Sequence, residues 1–477
     1  MDDKKYINLI KSTNIADYSD IKGIIIIKPY GYSIWENIKN IFNKILIKNN
    51  YNNLYFPLLI SKKLFELENK KLNIIPKECA IVTHSKFKIN YNNKLIIDKK
   101  SKLNQELIIR PTSETIVWYT FKKWIESYRN LPIKINQWCN VVRLEMRTKF
   151  FIRNSEFLWQ EGHSAHSSKN EALLEVKKVK LMYKKLLKNY LCIPFISGYK
   201  TRKETFPGAK FTYTFETITK EKGKSIQLAT IHYLSNNFSK VFNVKYTNEI
   251  GKKVYTWGIS WGISTRLIGA IIMIHNDKKG LILPPKIAPI QVIIIPLINN
   301  YILKKRIFFI KNILIKSNIS VEIDNNFNIT PGKKFYKYDN MGIPIKLIIG
   351  INELKNNTVE LIRRDTFKKY YLDINNNIYI KILKILSNIH KRMYIFAKIE
   401  MKRKTYFVKS FKNFKKKINR NYGFYSAYWY KDSNNESNIQ SITKSTIRCI
   451  TSKSKKQHKC FYSNKFTNIK IILGKSY

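Results

Sequence analysis

Carboxylates are scarce in this sequence: 32 Asp+Glu stand against 88 Lys+Arg in 477 residues, a formal charge of +56. The imbalance suits a polyanionic partner such as a nucleic acid. Glycine (16) and proline (13) are also few, while Lys, Asn, Ile and Tyr saturate even the loops. A base-composition bias would impose that texture on any protein, so the charge alone does not establish RNA binding. Cysteine is limited to Cys79, Cys139, Cys192, Cys449 and Cys460. Scattered, odd in number and without a CxxC pair, they exclude a disulfide framework and point to a reducing compartment. No apolar run is long enough for a membrane span; Val292–Leu297 reads as a buried strand. The start, MDDKKYINLIKS, lacks an apolar core and Arg, so it reads as neither signal nor transit peptide. A cytoplasmic location is expected. No fixed-period repeat is present.

Length and hydrophobic content (44%) allow two to four cored domains. Residues 1–285 mix helical and strand patterns and hold nearly all unusual polar clusters. Leu283–Pro289 (LPPKIAP) reads as a linker. Strand and helix patterns then alternate to about residue 390: QVIIIPL, a Lys-rich helix near 300–317, Val321–Ile323, a turn at ITPGKKF, then Ile345–Ile349 and Val359–Ile362. This predicts an α/β domain with a mostly parallel sheet over 286–390. Residues 391–477 read as a Lys-rich helical segment and an irregular tail, in which Lys412–Arg420 is a solvated charge run.

Four segments keep Arg, Trp, Gly and His against this background. In RPTSET, Thr112 or Ser113 reads as the cap of a following helix, and Glu114 as a carboxylate able to hold an ammonium. In Gln137–His166, Arg143 and Glu145 stand two apart on a strand-like run and so share a face, as do Phe157, Trp159, Glu161 and His163. Aromatic, carboxylate and imidazole groups on one face make a poor core and a good cleft lining. Arg143 has the planar fork that grips phosphate; an ion pair with Glu145 is the plainer alternative. In Ser225–Phe242, Thr230 and His232 share a face, and Gln227 has the opposite parity, so it joins them only through a bulge. An ordinary half-buried strand fits this segment too. In Thr256–His275, Gly262, Ser264 and Arg266 form GxSxR ahead of an apolar helix, with Arg266 placed to face phosphate.

The R-x-E strand pair and G-x-S-x-R before an apolar helix resemble motifs 2 and 3 of the class II aminoacyl-tRNA synthetases. The GYSIWENIKNIFNKILIKNN helix leading to a YFPLL strand, with Pro57 as interface proline, resembles motif 1. IRPTSET, LPIKINQWCNVVRLE, SEFLWQEGHSAH, SWGISTRLIGAIIMIHND and LILPPKIAPIQV narrow the resemblance to the prolyl-tRNA synthetases. TPGKKF, MGIPIKLIIG and RRDT are similar to that family's anticodon-binding domain, and GKSY to its C-terminal tail. The resemblance implies an α+β class II catalytic domain over 1–285, an antiparallel sheet flanked by helices. An α/β anticodon-binding domain over 286–390 and a small α+β extension over 391–477 would follow. His163 and Gly262 are too close in sequence for an editing insertion between them, which implies the shorter subtype.

The resemblance implies that proline is bound by Thr112, Glu114, Arg143, Trp159, Glu161, His163 and His232, with Ser264 between the two substrates. It implies that ATP is contacted by Arg143, Glu145, Arg153, Asn154, Gln227, Thr230 and Arg266, with Mg²⁺ on the phosphates. Glu78 is a looser match near both. Arg143 and Arg266 carry the catalytic roles, tRNA(Pro) is the partner and a homodimer the assembly. The family's extension often holds a four-Cys zinc site. Here Cys449 and Cys460 remain and Tyr462 replaces a third thiol, so no zinc or other metal ligand is expected. Lys333 replaces a usual Trp, and Tyr338–Gly342 matches loosely, implying relaxed anticodon reading. The rival readings are a sister enzyme for threonine, serine, glycine or histidine, an RNA-binding paralogue with a dead pocket, and a generic basic nucleic-acid binder.

Overall fold

The computed structural model describes residues 3–72 and 78–477; Met1 and Asp2 of the MDDKK start lie outside them. Helix α1 (Pro29–Ile47) opens on a proline, whose fixed φ suits a first turn. Ile34, Trp35, Ile38, Phe42, Ile45 and Leu46 recur at helical spacing and are buried. Downstream come α2 (Glu114–Trp124), β1 (Ile133–Val142), β2 (Glu156–His166), α3 (Lys169–Asn189), β3 (Ile196–Tyr199), β4 (Phe211–Ile218), β5 (Ser225–Ser235), β6 (Trp257–Ser264) and α4 (Arg266–Ile274).

The strands pair in the order β3-β4-β5-β6-β2-β1, each antiparallel to its neighbour. One sheet face packs Ile231, Tyr233, Ile259, Trp261 and Ile263 against apolar residues of α1, α3 and α4. The alternate residues point to the other face, and there the cleft lies. Between His163 and Gly262 the described residues form α3, β3–β5, a short helix (Asn237–Phe242) and a hairpin (Lys245–Tyr255), so the interval is filled by the catalytic unit itself. The expected YFPLL strand is irregular at Pro57, and pairing resumes only at Leu59–Ser61.

Next follow β7 (Val292–Pro296), α5 (Tyr301–Lys316), β8 (Val321–Ile323), α6 (Pro331–Met341), β9 (Ile345–Ile349), β10 (Thr358–Arg363), β11 (Lys369–Asp373) and α7 (Ile378–Arg403). The expected mostly parallel sheet is mixed: β7 runs parallel to β8 and β9, but β9–β10 and β10–β11 are antiparallel. The connection 350–357 is too short for a crossover and returns the chain antiparallel. The expected ITPGKKF turn is instead the start of α6, with Pro331 in its first turn. The division expected at 390/391 falls inside α7, one continuous helix.

The remainder forms β12 (Thr405–Phe407), α8 (Phe411–Arg420), β13 (Phe424–Tyr428), α9 (Ser433–Thr443), β14 (Thr446–Lys459) and β15 (Phe466–Gly474). Helix α8 buries Phe414 and Ile418 and turns its lysines outward. The tail expected to be irregular is mostly the long β14–β15 pair. These strands also extend the catalytic sheet, in the order β12-β13-β15-β14-β3, through the Tyr199–Ile450 pair. Gly198 permits that approach, since a Cβ there would lie 2.1 Å from the Ile450 carbonyl oxygen. Cys449 and Cys460 belong to different apolar clusters.

Candidate active site

The registers of β2, β6 and β5 build the site. Glu161, Gly262 and Thr230 are directly opposite one another across three strands, and His163, Ser260 and His232 form the adjoining row. Paired residues share a face, so both rows turn into one cleft of about 660 Å³. On the buried side, Gly162 leaves room for the Trp261 indole, whose ring atoms lie 2.1 Å from where a Cβ would stand.

Gln227 reaches the cleft through a bulge. Ala229 is opposite Phe215 and Gln227 is opposite Glu216, so Leu228 is the extra residue and reverses the parity.

At one end, Glu114 begins α2 and is buried. It accepts hydrogen bonds from Thr112 and, at 2.9 Å, from Ser260. The expected helix cap is absent: Thr112 donates to Glu114 and Ser113 to Glu161. Glu161 also accepts from Gln137 at 2.9 Å and lies 3.1 Å from His163 Nε2. Burial works to raise the Glu161 carboxyl, but His163, Ser113 and Arg110 together hold it below the usual range. Burial likewise opposes a charge on His163, yet Glu161 and Glu114 raise its pKa overall. His163 Nδ1 is buried without a partner among the described residues. His232 is pushed down to about 4 by burial; its Nδ1 lies 2.9 Å from Thr212 Oγ1 and its ring packs on Phe206. Trp159 is held by a 3.1 Å bond from its Nε1 to Cys139 Sγ.

Arg143 lies above this end. Its Nε donates to the Pro111 carbonyl at 2.8 Å, and the guanidinium sits 5.4 Å from the Trp159 ring and 5.7 Å from Phe157. Burial lowers its pKa, against the charges of Glu114 and Glu161. At the far end Arg266 donates to the Ile152 carbonyl at 2.8 Å. Burial first, then Arg143 and Arg448, bring it down to about 10.

Every residue expected to bind proline therefore lines this cleft: Thr112, Glu114, Arg143, Trp159, Glu161, His163, His232 and Ser264. Gln227, Thr230, Arg266 and Glu78 join them. Glu145, Arg153 and Asn154 are not among the lining residues. Strand β1 ends at Val142, where the Leu144 amide turns to the Glu78 carbonyl, so the shared strand face inferred for Arg143 and Glu145 does not exist. Glu145 pairs with Arg153 at 2.6 Å, and Asn154 is buried against Gly23.

Sequence reasoning missed Glu68 and Lys200. Glu68 is buried in the cleft, bonded by Thr115, and pushed up to about 7 by burial. FELEN places it three residues after Phe65 on one helix face, a carboxylate on an apolar stripe, and that was the available signal. Among the described residues, no group of three or more His, Cys, Asp or Glu side chains could hold a metal.

Residues 91–275 match the tRNA synthetase class II core domain (G, H, P, S and T), 291–380 an anticodon binding domain, and 411–477 the prolyl-tRNA synthetase C-terminal domain. The chain is 42% identical to a proline–tRNA ligase of Amoebophilus asiaticus, over 99% of this chain and 97% of that one. It is 42% identical to one of Flavobacterium psychrophilum over the same shares. Among solved structures it is similar to the Cryptosporidium parvum prolyl-tRNA synthetase complexed with L-proline and AMP. That likeness has a TM-score of 0.92 and 34% identity, covering 100% of this chain and 95% of the other.

Proposed function

Since the chain belongs to the prolyl-tRNA synthetases of class II, activating L-proline with ATP and charging tRNA with it, we propose how its cleft divides that work. Glu114, steadied by Thr112 and Ser260, takes the secondary ammonium of proline. Trp159, His163 and His232 wall the pyrrolidine ring; Glu161 holds His163 from behind, and Ser264 lies between the substrates. Arg143 lies between the proline carboxylate and the α-phosphate, so its charge and fork meet the negative charge that develops as carboxylate attacks phosphorus in line. No side-chain base is needed, because the carboxylate is already the nucleophile; catalysis is positioning and charge stabilisation. Gln227 and Thr230 face the nucleotide, and Arg266 holds its terminal phosphates. A terminal ribose hydroxyl of the tRNA then attacks the adenylate carbonyl. Glu145, Arg153 and Asn154, on the loop beside the cleft, contact the nucleotide from that side, Glu145 lying within electrostatic reach of Arg143 and Arg266.

The donor set fits a Mg²⁺ carried by the phosphates: Mg²⁺ keeps several waters and needs few protein oxygens, and Gln227 offers one beside them. It would neutralise phosphate charge.

Pro57 and α1 support a homodimer. No helix among the described residues is long and apolar enough to cross a membrane, which favours a cytoplasmic enzyme. Lys333, standing where the family usually carries Trp, supports relaxed anticodon reading.

The observation that carries the reading is the pair of in-register rows, Glu161–Gly262–Thr230 and His163–Ser260–His232. Pyrophosphate exchange measured across the amino acids tests it. Exchange dependent on proline is expected; exchange with threonine or serine alone would overturn it.

A further inference from the structure

One buried charge cluster lies across the junction of the catalytic sheet and the C-terminal extension. Glu216, on β4, is fully buried. It accepts from Lys200 Nζ at 3.0 Å and Thr214 Oγ1 at 2.8 Å. Its other oxygen accepts from Nε and Nη2 of Arg448, at 3.1 and 2.8 Å, across 232 residues of chain. Burial alone would raise the Glu216 carboxyl; the Arg448 and Lys200 charges hold it below the usual range. Arg448 belongs to β14, in the extension, and Lys200 lines the catalytic cleft.

Two bulges make the meeting possible. On β14, Ile447 is opposite Leu473 and Cys449 is opposite Ile472, which leaves Arg448 as the extra residue and turns its side chain inward. On β5 the bulge at Leu228 sets Gln227 directly opposite Glu216. The carboxylate that Arg448 grips is thus the strand partner of a cleft residue and the anchor of another. The charges also do not balance. Lys200 and Arg448 pair with Glu216, and Arg266 lies within electrostatic reach of Arg448, Glu216 and Glu145, so cations outnumber carboxylates at the end of the cleft assigned to phosphate. A buried surplus of one sign is costly unless a ligand of the other sign fills it.

We propose that Arg448 is a positioning residue for the nucleotide: through Glu216 it holds Lys200 and the Gln227 backbone in place, so that the extension completes the phosphate-binding end of the cleft. The inference rests on the reading of the Arg266 end as the ATP end. It gives the extension a catalytic purpose, and it makes the β3–β14 junction part of the site.

The test uses the full chain and proline-dependent pyrophosphate exchange, with KM for ATP and for proline measured separately. R448M, which keeps the length and removes the charge, raises KM for ATP roughly tenfold, the loss of about one hydrogen bond's worth of positioning at the phosphate end. KM for proline stays within roughly twofold, because that pocket is built from other rows. R448K recovers most of the loss. The double variant E216Q/R448M raises KM for ATP no further than E216Q alone, because Arg448 acts only through Glu216; additive rises overturn the proposal. Unchanged KM for ATP in R448M, or equal rises for both substrates, overturns the proposal. If R448M fails to fold, K200M serves: it shows the same selective rise, and its absence overturns the proposal equally. R266A discriminates the premise: if its KM for ATP is normal, the assignment of this end to ATP fails, whatever Arg448 does.

Discussion

Replacing Arg143 by alanine removes the group on which both halves of activation converge. Arg143 is fixed by its bond to the Pro111 carbonyl and by the Trp159 and Phe157 faces, so its fork is aimed before substrate arrives. One hydrogen bond to a charged group is worth about 1.5–3 kcal/mol, so the two parallel bonds of a fork together supply about 3–6 kcal/mol. At about 1.4 kcal/mol per tenfold, R143A loses on the order of 10²–10⁴ in proline-dependent pyrophosphate exchange. R143K keeps the charge and loses the fork and the Pro111 bond, and falls between. Near-ultraviolet circular dichroism confirms that the variant is folded. A folded R143A with exchange within about tenfold of wild type would refute the argument.

Thr112→Ala removes one of the two hydroxyl donors to Glu114 and raises KM for proline about tenfold with KM for ATP nearly unchanged, read in the same assay. Gly162→Ala forces a methyl into the Trp261 ring and destabilises by about 1–3 kcal/mol, measured by denaturant unfolding; an unchanged midpoint would contradict the packing. The two cleft histidines tie stability to pH with opposite signs. His163 is raised in the fold, so its contribution is complete below its unfolded value of about 6.5 and is lost as pH rises through the folded value. His232 is lowered to about 4, so its contribution is present above about 6.5 and is lost as pH falls towards 4. Calorimetry should therefore show H163Q flattening the alkaline side of the melting profile and H232N the acid side; the reverse pattern would refute both assignments.

The cleft was readable wherever its residues alternate on one strand. Trp159, Glu161 and His163 on β2 announce a lined face because no core would accept them, and the opposite parity of Gln227 demanded the bulge found at Leu228. Glu145 misled because R-x-E looks like continuing strand, while the turn at Leu144 depends on Glu78, distant in sequence. The anticodon sheet was read as parallel because apolar runs do not reveal direction; only the short 350–357 connection does. The α+β character of the extension came from the resemblance and holds, but the residue pattern alone did not reveal its strands. Strand β14 is rich in Lys and Ser and lacks an apolar alternation along its length, so no local pattern marks it, even though its partner β15 follows directly; its other partner, β3, lies far back along the chain. Lys200, Glu216 and Arg448 share that difficulty: each is an ordinary charged residue until the fold brings them together.

The junction of β3 with β14 also bears on how the molecule assembles. Two stretches separated by more than half the chain must find each other, and closing so long a loop is entropically costly and slow. Until they do, β3 is an uncovered edge, with unpaired amides and carbonyls open to any passing strand. Refolding from denaturant should therefore be sensitive to protein concentration, and recovery of exchange activity should lag behind recovery of secondary structure, because the Arg448 charge arrives with the strand that seals the edge.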